Sequence, residues 1–149
     1  MEIIGPIEED FKPFIIDYFK QNPNLKEQVT FTGPINDRKK LENYYATAKI
    51  FALTSRYEGF PLVLAEAAKH GCFIVSTDLP AAKDLINDNQ YGKLFPIDNE
   101  EDLTHVLKEI SNEQNIMAKL SLEFQSFAYK HFYWPEICKK IDKLVWEKY

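Results

Sequence analysis

Thr54-Ser55-Arg56-Tyr57-Glu58-Gly59-Phe60-Pro61-Leu62-Val63-Leu64-Ala65-Glu66-Ala67 joins the end of one apolar run to the start of another. Residues 50–54 predict a buried strand and the polar residues after them a loop. Gly59 suits a tight backbone turn, and Pro61 suits a first helical position through its fixed φ. A helix N-terminus then points out beyond the carboxyl end of a central strand, where open α/β sheets bind ligands. The N–H groups near residues 60–63, with the helix dipole, suit an anion such as a diphosphate. Glu66 follows within about 10 Å of the helix start, at about 1.5 Å per residue. A carboxylate there can accept from two adjacent hydroxyls, so a ribose reached from the diphosphate is a fitting partner. Glu58, in the loop ahead of the helix, could accept from hydroxyls of a transferred sugar. Two plainer readings stand beside these: Glu58 as an acid favoured by the helix dipole, and Glu66 as a solvated residue paired with Lys69 at i+3.

Outward from this stretch, short apolar runs alternate with helical periods, the pattern of βα units and a parallel sheet. Strands are predicted at residues 2–4, 28–31, 50–54, 73–76 and 93–95. The middle three are apolar on both faces, as in strands covered by helices on each side. Helices are predicted at 9–21, 38–46 and 61–70, with a short turn at 81–86. After Asp98 the pattern is helix only. Asp98 or Asn99 can cap a helix to about Asn112, Asp98-x-x-Glu101 having capping-box form, and helices at 115–131 and 135–148 follow. The expected fold class is α/β, a Rossmann-like parallel sheet with flanking helices and a helical segment at 99–149. One domain spanning residues 1–149 is the expectation.

Composition narrows the function classes. The chain has 149 residues, 45% hydrophobic and 28% charged, with a net charge of −5 and Arg38 and Arg56 as its arginines. That balance offers no basic stripe for nucleic acid. Cys72 and Cys138 have no CxxC spacing, so reduced thiols are expected and zinc is not. No apolar run approaches a bilayer span and no export signal opens the chain, which points to the cytoplasm. No GxGxxG, Walker A or zinc-ligand spacing occurs.

Residues 55–67, with Gly71 and the strand into Ser76-Thr77-Asp78, resemble the Glu-x7-Glu signature of the retaining GT-B transferases of glycosyltransferase family 4. The resemblance runs through nearly the whole chain: Ile3-Ile4-Gly5-Pro6, Val29-Thr30-Phe31-Thr32-Gly33, residues 45–55, Tyr91-Gly92-Lys93-Leu94-Phe95 and Phe132-Tyr133-Trp134 each resemble a family segment. It implies that this is the nucleotide-sugar-binding domain, the C-terminal half of a GT-B fold. Glu58 would contact the donor sugar together with Gly59 and Phe60. Amides at Gly59, Phe60, Leu62 and Val63 would face the diphosphate, with Ser55 lining its phosphate end, and Glu66 would bind the ribose. Gly33, Pro34 and Ile35 would lie beside the nucleobase. No cofactor or metal is implied beyond the nucleoside diphosphate sugar itself.

Two departures from the family pattern stand out. Pro80-Ala81-Ala82 replaces a common Gly-Gly pair, and each Cβ restricts close approach to a ligand. The family's catalytic Arg and Lys, and its acceptor lobe, lie upstream of Ile3-Ile4-Gly5. No catalytic residue is therefore assigned, the chain is read as N-terminally truncated, and on its own it is expected to be inactive. Arg56 and Lys83 are read as solvated loop charges. In the family a further strand sits between those at 2–4 and 50–54. Its absence predicts either closure of residues 2–4 onto 50–54, the favoured outcome, or a homodimer through the open edge.

The implied reaction moves a hexose from a nucleoside diphosphate sugar to a saccharide or glycolipid acceptor, with the full-length enzyme at the inner face of a membrane. Other readings are a different GT-B enzyme, such as a sugar-nucleotide epimerase, and a non-catalytic α/β interaction module of flavodoxin or receiver type. A receiver needs an Asp at a strand end, and no strand here supplies one beside Glu8-Glu9-Asp10. His70, Cys72, Asp78, Asp84, Tyr44, Tyr45 and the aromatic run at 131–134 are read as structural.

Overall fold

The computed structural model describes residues 1–146, and the end of the last predicted helix, at 147–148, lies outside the described residues. The chain divides into two units, Met1–Asn43 and Tyr44–Tyr149.

The first unit is a parallel pair, β1 (Glu2–Ile4) and β2 (Thr30–Gly33), joined through a 3-10 turn at Glu9–Phe11, helix α1 (Lys12–Gln21) and a second 3-10 turn at Pro23–Leu25. Phe11, at the end of the first 3-10 turn, and Phe14 and Tyr18 of α1 recur at helical spacing and stack, ring centroids 5.1 and 6.2 Å apart. Phe19 meets Phe31 of β2 edge-on at 6.2 Å. Strand β2 begins two residues later than predicted. The Gln28 N–H donates to Leu25 O at 3.0 Å, closing the turn before the strand, and the Thr30 N–H to Met1 O at 2.9 Å. Helix α2 (Arg38–Thr47) follows.

The second unit carries β3 (Ile50–Leu53), α3 (Leu62–Lys69), β4 (Phe73–Thr77), α4 (Pro80–Leu85), β5 (Gly92–Phe95), α5 (Glu100–Asn112), α6 (Gln114–Phe132) and α7 (Trp134–Trp146). Its sheet is parallel in the order β3-β4-β5. Only β4 is buried at every residue; Ala52 of β3 and Thr30 of β2 are exposed. Burial on both faces therefore holds for the central strand and fails for the other two, because β3 is an edge strand of its sheet and β2 belongs to a two-stranded one. Phe73 and Val75 share one face of β4 and pack with Phe95, Val106, Ile110 and Met117. Ile74 and Ser76 on the opposite face are equally buried.

The strands thus fall into two sheets, and the predicted closure does not occur: residues 2–4 form their ladder with β2, not with β3. The ladder with β2, reached by the single crossover through α1, fills one edge of residues 2–4.

Local chemistry sets the boundaries. Helix α3 ends in a Schellman motif, with the Cys72 N–H donating to Ala67 O, the Gly71 N–H to Ala68 O, and Gly71 at φ +82°. Helix α5 is capped by Asn99, whose side chain accepts from the Asp102 N–H at 2.9 Å while its amide donates to the Asp102 carboxylate. The Asp98-x-x-Glu101 box does not form, because Asp98 sits outside the cap at φ +56° and turns to Arg56. At Gly92 a Cβ would stand 2.6 Å from Ile74 O, a place only glycine can occupy.

Candidate functional site

Strand β3 makes its last ladder pair at Leu53 with Ser76, and the chain then leaves the sheet through residues 54–61 to reach α3. The departing loop is fastened from two sides. On the inner side, Thr77 at the end of β4, 1% exposed, donates its hydroxyl to Ser55 O at 2.6 Å. On the outer side, Arg56 Nε donates to Asp98 Oδ1 at 2.8 Å, and this hydrogen bond and charge raise the guanidinium pKa above its usual value. Across the loop, Ser55 Oγ donates to Glu58 Oε1 at 2.6 Å. Ser55, expected at the phosphate end, therefore directs its one hydroxyl proton at Glu58.

Pro61 occupies the N-cap of α3, one residue earlier than predicted, with φ −78° and ψ 78°. The Leu62 N–H donates to Phe60 O and the Leu64 N–H to Pro61 O, both at 2.9 Å. Among the described residues the N–H groups of Gly59, Phe60 and Val63 enter no backbone hydrogen bond. The tight-turn reason for Gly59 does not hold: its φ lies outside the left-handed region, and a Cβ there would meet no atom within 4 Å. The space beside it is open.

Glu66 lies half-buried one turn into α3, where the Tyr45 hydroxyl donates to its Oε2 at a long 3.4 Å. Tyr45 is buried, stacked on His70 at 5.9 Å and edge-on to Phe51 at 5.6 Å. Cys72 donates its thiol to Tyr45 O at 3.2 Å, and burial pushes the thiol up to about 11. Both residues serve the packing behind the helix.

Phe60 meets Phe132 edge-on at 6.5 Å, and Phe132 joins Phe127, which stacks on His131 at 4.1 Å. Burial, then the charges of Lys140 and Lys130, lower the His131 pKa. This aromatic run packs the C-terminal end of α6 against the motif loop. Lys83 pairs with Asp78 at 3.3 Å, so Lys83 and Arg56 each meet a carboxylate. Pro80-Ala81-Ala82 opens α4, with Ala82 fully buried.

Gly33, Pro34 and Ile35 belong to the first unit, at the carboxyl end of β2. Gly33 has φ +69°, and its carbonyl accepts from the Gly5 N–H at 3.1 Å. Among the described residues no group of three or more His, Cys, Asp or Glu could hold a metal ion, and no helix is long and apolar enough to cross a membrane.

Sequence reasoning singled out Glu58 and Glu66 as candidates from the whole string of residues 54–67 and its resemblance to the family signature. It did not find Thr77 or Asp98, which lie 22 and 42 residues from the loop positions they bond. A Ser-Thr-Asp run at the end of a buried strand is the one local signal for Thr77.

Two curated relatives come from Campylobacter jejuni. One, named N-acetylgalactosamine-N,N'-diacetylbacillosaminyl-diphospho-undecaprenol 4-alpha-N-acetylgalactosaminyltransferase, is 34% identical over 94 residues, 62% of this chain and 25% of the relative. The other, named GalNAc-alpha-(1->4)-GalNAc-alpha-(1->3)-diNAcBac-PP-undecaprenol alpha-1,4-N-acetyl-D-galactosaminyltransferase, is 37% identical over 98 residues, 65% of this chain and 26% of the relative. The chain thus spans about a quarter of the length of these relatives. Among solved structures, Anabaena HepE in complex with UDP superposes with a TM-score of 0.77 at 20% identity, over 97% of this chain and 40% of that one. The shared fold is Rossmann-like α/β, as in GT-B glycosyltransferases. The family model described as glycosyl transferases group 1 matches residues 3–131, and the chain belongs to that family.

Proposed function

We propose that this chain is the donor-binding part of a retaining glycosyltransferase that moves a hexose from a nucleoside diphosphate sugar to a saccharide or glycolipid acceptor. The observation that carries the reading is the arrangement at α3. Glu58 is half-buried with Oε1 held by Ser55, and the N–H groups of Gly59, Phe60 and Val63 are left without backbone partners just beyond it. A diphosphate placed there meets three donors and the positive end of a helix dipole. Its departing charge would be stabilised by groups already oriented, which is how electrostatic catalysis of this kind works. Glu58 Oε2 accepts from a hydroxyl of the sugar, the open space beside Gly59 admits the ligand close to the backbone, and Glu66 accepts from the ribose.

HepE was solved with UDP, and the two Campylobacter relatives are named for transfer of N-acetylgalactosamine to saccharides on undecaprenyl diphosphate. These names support a glycolipid acceptor and a whole enzyme working at a membrane face.

Calorimetric titration of the chain with UDP, GDP and ADP tests the reading. One of them is expected to bind, and Glu66→Ala should weaken it by about 1.5–3 kcal/mol through loss of a charged acceptor. Glu58→Ala should leave the bare diphosphate unchanged and weaken its sugar form. Indifference to all three nucleotides would overturn the proposal. Unchanged nucleotide affinity in Glu66→Ala would overturn the ribose assignment, and equal losses in Glu58→Ala would make that residue structural.

A further inference from the structure

We infer that Thr77 is a positioning residue for the donor-sugar carboxylate, acting through Ser55 on Glu58. The inference rests on the role proposed for Glu58 above. The β3–β4 ladder ends at the pair Leu53 and Ser76, so Thr77 is the first β4 residue with no opposite partner on β3, while on its other edge it still pairs with Phe95. At that place the Thr77 side chain takes over from the backbone. Its hydroxyl reaches Ser55 O at 2.6 Å and ties the departing loop to the buried central strand. Ser55, so anchored, directs its own hydroxyl to Glu58 Oε1 at 2.6 Å. One carboxylate oxygen is thereby fixed and Oε2 is left for a ligand hydroxyl.

The other tie on the loop cannot substitute. Arg56 and Asp98 are 79% and 62% exposed, and an ion pair in that setting is screened and holds geometry weakly. The Thr77 hydroxyl belongs to a residue 1% exposed, where an unpaired polar group is costly, so its bond to Ser55 O is held more firmly than the exposed ion pair. Threonine also has its hydroxyl on a stiff, β-branched Cβ, which holds the donor direction better than a freely rotating side chain would.

The test compares Thr77→Val, which keeps shape and removes the hydroxyl, with Thr77→Ser, which restores it. The probes are UDP and UDP-N-acetylgalactosamine, with two-dimensional NMR of the Glu58 side-chain carboxyl carbon and the Ser55 amide as a ligand-free readout. Thr77→Val should weaken UDP-N-acetylgalactosamine about tenfold, the size of one lost hydrogen bond, while UDP stays within about twofold. The Glu58 and Ser55 resonances should move in Thr77→Val and return in Thr77→Ser. Should Thr77→Val not fold, Ser55→Ala breaks the second link from the loop alone and must move the Glu58 resonance. Resonances that stay in place, or equal weakening of both ligands, would overturn the inference. A wild-type chain indifferent to UDP, GDP and ADP alike would count against the function proposed above, and the resonances would still decide the role of Thr77.

Discussion

Glycines at 59 and 92 meet different physical demands. A Cβ at Gly92 would press on the Ile74 backbone at 2.6 Å, inside a parallel ladder that cannot give way without breaking hydrogen bonds. Gly92→Ala is expected to cost about 1–3 kcal/mol of stability, the scale of an overpacked core, as read from the urea midpoint. A Cβ at Gly59 would meet nothing within 4 Å and no strained φ. Gly59→Ala should therefore change stability by no more than about 0.5 kcal/mol, yet lower sugar-nucleotide affinity by filling the space the ligand approaches. The cysteines divide in the same way. Burial pushes the Cys72 thiol up to about 11, whereas Cys138 is exposed. Thiolate is the reactive form, so iodoacetamide near neutral pH should modify one thiol in the native protein and two in guanidinium, counted by mass spectrometry.

At the scale of the element, helix ends depend on individual side chains. Asn99 and Asp102 satisfy each other at the start of α5, and Asn99→Ala should cost about 1 kcal/mol in a denaturant titration. Glu101→Ala should cost only a few tenths, since it removes an exposed first-turn charge and no cap. A Glu101 effect as large as that of Asn99 would restore the Asp98-x-x-Glu101 box. The helices themselves were legible because their apolar residues recur at helical period. The caps were ambiguous because Asp98 and Asn99 are equally good candidates by type. The choice was made by Arg56, 42 residues earlier in the chain, which draws Asp98 away.

For the whole molecule, burial is unevenly shared. No residue from 1 to 43 is buried, whereas the fully buried side chains lie on or beside α3, β4, α4 and α6. Protection against amide hydrogen exchange should follow that division, slowest for Ile74, Val75 and Ser76 in the central strand and fast for β1 and β2. Equal protection in the two sheets would contradict it.

From the sequence alone followed the α/β class, the place of the motif at a strand-to-helix junction, and the candidate pair Glu58 and Glu66. Each of these depends on local periodicity and on residue types a few positions apart. What only the tertiary structure decided depends on residues far apart in the chain. The strands form two sheets rather than one, Ser55 turns to Glu58, and Thr77 holds the loop from β4. A hydroxyl can donate to any acceptor within reach, and a strand can pair with any free edge of matching register. Which partner is taken depends on the packing that brings them together, and no short window of sequence contains both.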